Sequence, residues 1–227
     1  MENQTMTAKE AAELALRDSL SRVVARTTGP ERLSSDQLAE TLKEEKLQAA
    51  IKASKFPLTA KARIQHPDWD DALTWCEGVL SSGASLLAFV GPPGRGKTAM
   101  AYWASVFVLK RREGASAAWE TASWLFARMR STNQSAAKET EFDVMNAYLA
   151  YTILTIDEVG MGKGTDFEYQ SLNTLICRRY DAGKKTIIIS AKDRNSLDTV
   201  IDPAGHSRMN QCGGVVEFDW ETFRKAA

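Results

Sequence analysis

Eight residues constrain this chain more than any others: Gly91-Pro92-Pro93-Gly94-Arg95-Gly96-Lys97-Thr98. They satisfy the pattern G-x-x-x-x-G-K-[ST] in full, and that pattern demands a strand before it and a helix after it. Both are predicted. Leu86–Val90 is an apolar run of strand length, and Lys97 to about Arg111 carries Met100, Trp103, Val106 and Phe107 at helical spacing. Glycines at 91, 94 and 96 permit backbone angles and close approaches that a Cβ would block. Successive amides, Ala99 among them, then face one concavity at a helix N-terminus and suit phosphate oxygens. Lys97 is the expected contact to β- and γ-phosphates, and the Thr98 hydroxyl the expected magnesium ligand.

Such a loop needs an acidic partner. Ile153-Leu154-Thr155-Ile156 is a buried-strand pattern that ends in Asp157-Glu158. Asp157, at the carboxyl end of its strand, is predicted beside Thr98 and the metal, because open α/β sheets bind ligands at that edge. Glu158 is the candidate general base for an attacking water. A carboxylate next to the metal-binding aspartate favours hydrolysis. A small-molecule kinase would need an acceptor pocket and a basic lid, and no arginine-rich lid follows Ser190.

The rest of the pattern fits this frame. Ala115–Trp119, Thr152–Ile156, Thr186–Ser190 and Val215–Phe218 read as further strands, with helices at Thr121–Arg130 and Phe167–Tyr180 and a polar loop at Ser131–Lys138. Strands alternating with helices predict an α/β fold: a five-stranded parallel sheet flanked by helices, of the P-loop NTPase type. Residues 1–55 differ, being rich in alanine, leucine and alternating charge. Thr7-x-x-Glu10 and Ser34-x-x-Gln37 read as capping boxes opening two helices, separated by Gly29-Pro30. Leu16, Leu20, Val23, Leu38 and Leu42 form either the seam of a hairpin or a surface for a partner, and Leu33–Leu47 has a faint helix-turn-helix flavour. The expected division is a helical N-terminal partner-binding region (1–55), a linker and leading helix (56–83), and a nucleotide-binding domain (84–227).

Lysine plus arginine equals aspartate plus glutamate, 29 against 29, so a nucleic-acid partner would need a local patch. Candidates are Lys110, Arg111 and Arg112 at one helix end, Arg128 and Arg130 at another, Lys163 in a glycine-flanked loop, and Trp119 and Trp124 as stacking surfaces. Helix dipoles also favour cations at those ends. Cys76, Cys177 and Cys212 lack zinc-ligand spacing, and no apolar run approaches the roughly 20 residues of a membrane span. Reduced thiols and a cytoplasmic location are expected.

Taken together, residues 84–224 resemble the DnaC/IstB branch of AAA+ ATPases, which includes replicative-helicase loaders and transposition helper ATPases. The resemblance rests on Gly91–Thr98, Leu154-Thr155-Ile156-Asp157-Glu158-Val159-Gly160, Ile176-Cys177-Arg178-Arg179-Tyr180, Ser207-Arg208-Met209, and the closing run from Val215 to Arg224. It implies ATP and Mg2+ as cofactors, and an arginine finger, Arg208, reaching a neighbouring subunit's ATP in trans. It also implies Ser190 as the polar sensor ending the fourth strand, where many relatives carry Thr-Asn, and no helical lid after the last strand. The partners implied are a replicative helicase of the DnaB type, single-stranded DNA and further copies of the chain, with no membrane. The alternatives are a transposition helper assembling on duplex DNA, or a nucleotide switch without turnover.

Overall fold

The computed structural model describes Arg17, residues 34–132, residue 134 and residues 137–223. It divides into two compact units, Met1–Lys55 and Phe56–Ala227.

In the first unit the described segment is one helix, α1 (Ser35–Ala53). Ser34 caps it as read: the Gln37 amide donates to Ser34 Oγ at 3.2 Å and the Ser34 amide donates to Gln37 Oε1 at 2.9 Å. Because α1 runs unbroken through Leu38 and Leu47, the helix-turn-helix reading fails. The helix opened by Thr7-x-x-Glu10, with Leu16, Leu20 and Val23, lies outside the described residues.

The second unit is a parallel five-stranded sheet. In chain order its elements are α2 (Pro67–Leu80), β1 (Ser85–Val90), α3 (Lys97–Arg111), β2 (Ala117–Thr121), α4 (Ala122–Ser131), α5 (Glu141–Ala150), β3 (Ile153–Asp157), α6 (Asp166–Asp181), β4 (Lys185–Ile189), α7 (Pro203–Cys212) and β5 (Gly213–Glu217), with 3₁₀ turns at Leu58–Lys61 and Arg194–Thr199. The spatial order is β2-β3-β4-β1-β5. Every residue of β1 and β3 is buried, as strands covered on both faces must be. One consequence governs the site: β4 lies between β1 and β3, so Ile189 and Ser190 end their strand between the glycine loop and the two carboxylates.

The five strands fall within two residues of their predicted places, and α3 spans the predicted residues. Two helices were not foreseen. Within α5, Val144, Met145 and Tyr148 are buried, and a capping box of Thr140 with Asp143 opens the helix. In α7 the Asp202 side chain accepts from the Gly205 amide at 2.6 Å, and Pro203 takes the first helical position, where a missing N–H costs nothing.

The Arg-Arg-Tyr end of α6 is structural. Arg179 is fully buried and donates to Thr186 Oγ1 (3.0 Å) and to the carbonyls of Tyr148 (2.5 Å), Tyr151 (3.2 Å) and Lys185 (2.6 Å). Burial disfavours its charge and pushes its pKa down to about 9. The four acceptors offset that desolvation and tie α6 to α5 and to the amino ends of β3 and β4.

Candidate active site

The glycine loop leaves β1 at Gly91 and enters α3 at Lys97. Gly91 (φ +124°) and Gly96 (φ +85°) hold angles that side chains rarely adopt. A Cβ on Gly91 would lie 2.6 Å from the Phe218 carbonyl oxygen, so only glycine fits there. No side chain caps α3, whose N-terminal amides are the orphan donors that anions satisfy.

The closing segment braces this loop from outside. Trp220 Nε1 donates to the Arg95 carbonyl at 3.0 Å and the Phe223 amide donates to the Gly94 carbonyl at 2.9 Å. Trp69, fully buried on α2, donates to the Gly96 carbonyl at 3.5 Å. In a trans peptide the C=O and the following N–H point in opposite directions. Holding the carbonyls of Gly94 and Arg95 on the closing segment therefore turns the amides of Arg95 and Gly96 away from that segment, while the Gly96 carbonyl also accepts from the Met100 amide at 2.9 Å in the first bond of α3. Sequence reading missed Trp69 and Trp220 in this role, since a backbone acceptor leaves no pattern in the sequence.

Lys97 is buried, and its Nζ donates to the carbonyls of Gly91 (2.6 Å) and Pro92 (2.7 Å). Both are the loop's own oxygens. Thr98 Oγ1 donates to Asp157 Oδ2 at 2.8 Å across 59 positions of sequence. Asp157 Oδ1 accepts from the Glu158 amide at 2.8 Å, and Oδ2 also accepts from Trp119 Nε1 at 3.1 Å. Trp119, a candidate stacking surface for DNA, also turns its indole N–H to this carboxylate. Glu158 is exposed, in a left-handed conformation (φ +59°), where a non-glycine residue costs of order 1–3 kcal/mol. That turn sets it on the wall of an open cleft of about 530 Å³ lined also by Phe126, Arg130, Met161, Lys163 and Glu168.

Ser190 is buried at the end of β4. Its Oγ donates to the Val159 carbonyl (2.8 Å) and accepts from the Lys192 amide (3.2 Å). The Lys192 carbonyl in turn accepts from the Gly91 amide at 3.0 Å, which couples the end of β4 to the first residue of the loop. Arg208 is held away from this group. Its guanidinium lies 5.1 Å from the Tyr180 ring centroid, with Nη2 3.6 Å from Asp181 Oδ1 and Nη1 donating to the Ala204 carbonyl at 3.3 Å. None of those contacts belongs to loop 91–98.

The basic DNA candidates divide. Arg128 is paired with Glu139 and Arg130 with Glu168 (3.0 Å), so both already have acids. Lys110, Arg111 and Arg112 are exposed at the end of α3, Lys163 is exposed after Glu158, and Trp124 is 69 % exposed. Among the described residues no cluster of three or more His, Cys, Asp or Glu could hold a metal.

A family described as IstB-like ATP binding protein matches residues 46–205, which is most of the second unit and the end of α1. The chain belongs to that family. Curated relatives of this IstB-like protein include the replicative helicase loader DnaC of Buchnera aphidicola subsp. Acyrthosiphon pisum (strain APS), 24 % identical over 138 residues, 60 % of this chain and 55 % of that protein. The chain thus spans about half the length of the curated relatives it matches. Among solved structures, the DnaC helicase loader superposes with a TM-score of 0.57 at 18 % identity, covering 69 % of this chain and 93 % of that one. AMPPCP-bound DnaA from Aquifex aeolicus superposes with a TM-score of 0.59 at 20 % identity, covering 72 % of this chain and 51 % of that one. These likenesses establish the P-loop AAA+ fold. Among the described residues no helix is long and apolar enough to cross a membrane.

Proposed function

We propose that this IstB-like protein hydrolyses ATP with magnesium at loop 91–98 and uses the cycle to load a replicative helicase onto single-stranded DNA. The observation that carries the reading is the hydrogen bond from Thr98 to Asp157, which joins the glycine loop to the carboxylate strand. A hydroxyl and a carboxylate are hard oxygen donors, and magnesium is held by one or two protein groups with phosphates and water supplying the rest. The donor set fits. Thr98 and Asp157 would hold magnesium, which when bound would supply charge neutralisation to the phosphates.

The chain's own residues account for the remainder. Lys97 exchanges two carbonyl partners for phosphate oxygens. The loop amides, steadied by the closing segment, bind the same oxygens with little reorganisation. Glu158, exposed at the cleft, takes a proton from water, and Asp157 holds Thr98 in place. Ser190 shifts its hydroxyl from Val159 to report the γ-phosphate. Arg208, tied to nothing near its own loop, reaches a neighbouring copy's nucleotide, which requires head-to-tail assembly. The N-terminal region, residues 1–55, grips the helicase, and Lys110–Arg112 with Lys163 contact DNA backbone. The relative named a helicase loader supports this choice. The match to the IstB-like family supports a second reading, a transposition helper on duplex DNA.

Calorimetry and turnover test the chemistry together. Wild-type protein should take up ATP and ADP with magnesium, and Lys97→Ala should lose that uptake. Glu158→Gln should keep it while turnover falls about 10²–10⁴-fold. Unchanged turnover in Glu158→Gln would remove Glu158 as the base. Co-purification with a replicative helicase, lost on deleting residues 1–55, supports the loader; filaments on duplex DNA without helicase binding support the helper.

A further inference from the structure

Three donors converge on Asp157, and one of them, Trp119, belongs neither to the nucleotide loop nor to the carboxylate pair. In the parallel register Trp119 of β2 pairs with Thr155 and Thr121 pairs with Asp157. Side chains alternate along a strand, so Trp119 and Asp157 stand on the same face of the sheet, diagonal neighbours within reach of a long side chain. The indole uses that reach: its Nε1 lies 3.1 Å from Asp157 Oδ2, the oxygen that also accepts from Thr98.

The indole is itself held. Phe56, the first residue of the second unit, is buried with its ring centroid 6.4 Å from Trp119. The same ring meets Tyr102 edge-on at 5.6 Å. Tyr102 lies one turn beyond Thr98 on α3, so the two share a helix face. Phe56 therefore sits between the helix that presents the hydroxyl and the strand that presents the indole, and the chain immediately before it leaves α1 through Lys55, in a left-handed conformation (φ +61°).

We propose that Trp119 is a positioning residue for the metal site: its indole N–H fixes the Asp157 carboxylate, and the ring of Phe56 fixes the indole. The proposal rests on the reading of loop 91–98 as a magnesium-nucleotide site. A carboxylate that accepts from Thr98, Trp119 and the Glu158 amide is held by three donors, so little order remains to be lost when a cation binds beside it.

Magnesium titrations of the full chain with a non-hydrolysable ATP analogue, followed by calorimetry, test this without turnover. Trp119→Phe keeps a ring and removes the N–H. It should raise the half-saturating magnesium concentration about tenfold, the usual effect of losing a group that orients a metal ligand. Nucleotide affinity in EDTA should stay at the wild-type value. Phe56→Leu, which leaves the indole in place, should shift the magnesium dependence in the same direction by less. In protein labelled with 5-fluorotryptophan, the fluorine resonance missing from Trp119→Phe should move on adding nucleotide with magnesium and stay fixed with nucleotide in EDTA. Wild-type magnesium dependence in Trp119→Phe, or an equal loss of nucleotide affinity with and without magnesium, overturns the proposal. If Trp119→Phe does not fold, Phe56→Leu decides by the same titration, and an unaltered magnesium dependence there overturns it. No magnesium-dependent uptake by the wild-type chain would instead overturn the reading of the site itself.

Discussion

The two edges of the sheet both bury positive charge, and they treat it in opposite ways. At the carboxyl edge, Lys97 donates to the carbonyls of Gly91 and Pro92, two oxygens of the loop it belongs to. At the amino edge, Arg179 is satisfied by four acceptors drawn from α5, the segment before β3, and β4. The two carbonyls that Lys97 holds are local, and a phosphate could replace both without moving any other element. The arginine's partners are the ends of the scaffold, and replacing them would part α6 from the sheet. One edge is built to exchange ligands and the other to stay fixed, though each is a buried cation bonded to carbonyl oxygens.

That contrast fixes an order of effects on folding stability. The largest belongs to Arg179→Met, which keeps much of the volume but orphans three carbonyls and a hydroxyl in the interior. Each buried acceptor left unmade costs about 1–3 kcal/mol, so a loss on the order of 3–5 kcal/mol is expected in urea unfolding. A loss under about 1 kcal/mol would mean that water replaces the guanidinium and that this edge is as exchangeable as the other. Gly91→Ala comes next. The new Cβ meets the Phe218 carbonyl at 2.6 Å in a backbone of φ +124°, which should cost about 1–3 kcal/mol. Because Phe218 begins the segment that braces the loop, nucleotide affinity should fall with it. Wild-type affinity in a destabilised Gly91→Ala would show that the loop adjusts independently of its brace.

Legibility followed the same division. Gly91–Thr98 and Asp157-Glu158 were readable because their chemistry dictates residue type at fixed spacing within a strand-loop-helix frame, and the structure brings Thr98 and Asp157 to 2.8 Å. The sheet was readable because strands buried on both faces leave short apolar runs such as Leu86–Val90. Helix α5 was passed over because Asp143 stands where a capping box usually carries Glu or Gln, and α7 because Pro-Ala-Gly-His-Ser-Arg-Met has almost no apolar period. The contacts of Trp119, Trp220 and Trp69 were unseen for a different reason. Each acts through an indole N–H on an oxygen 27 to 125 positions away, and tryptophan in sequence says only that something large is buried. The acids that pair with the DNA candidates Arg128 and Arg130, Glu139 and Glu168, were not foreseen because they are supplied by later segments.

The smallest effect on stability is expected from Arg208→Ala, and that smallness is what makes it informative. The ion pair with Asp181 spans 3.6 Å to a carboxylate that is 64 % exposed, and the remaining contacts are a ring face and a carbonyl of its own helix. Exposed pairs and cation–π contacts of this kind are worth about 1 kcal/mol or less, so the unfolding midpoint should barely move. Arg179, close by on α6, would then differ from it by several-fold in cost while sharing its charge. If Arg208 acts in trans, ATP turnover should be lost with nucleotide binding intact. Mixing then separates trans from cis: Lys97→Ala protein has no working loop but an intact Arg208, and Arg208→Ala protein has the converse. Together they should recover a fraction of wild-type turnover, since one kind of mixed interface contains both groups. No recovery across a range of mixing ratios would mean that Arg208 serves the chain it belongs to, through its place beside Tyr180 and Asp181, and the head-to-tail assembly would lose its only chemical argument.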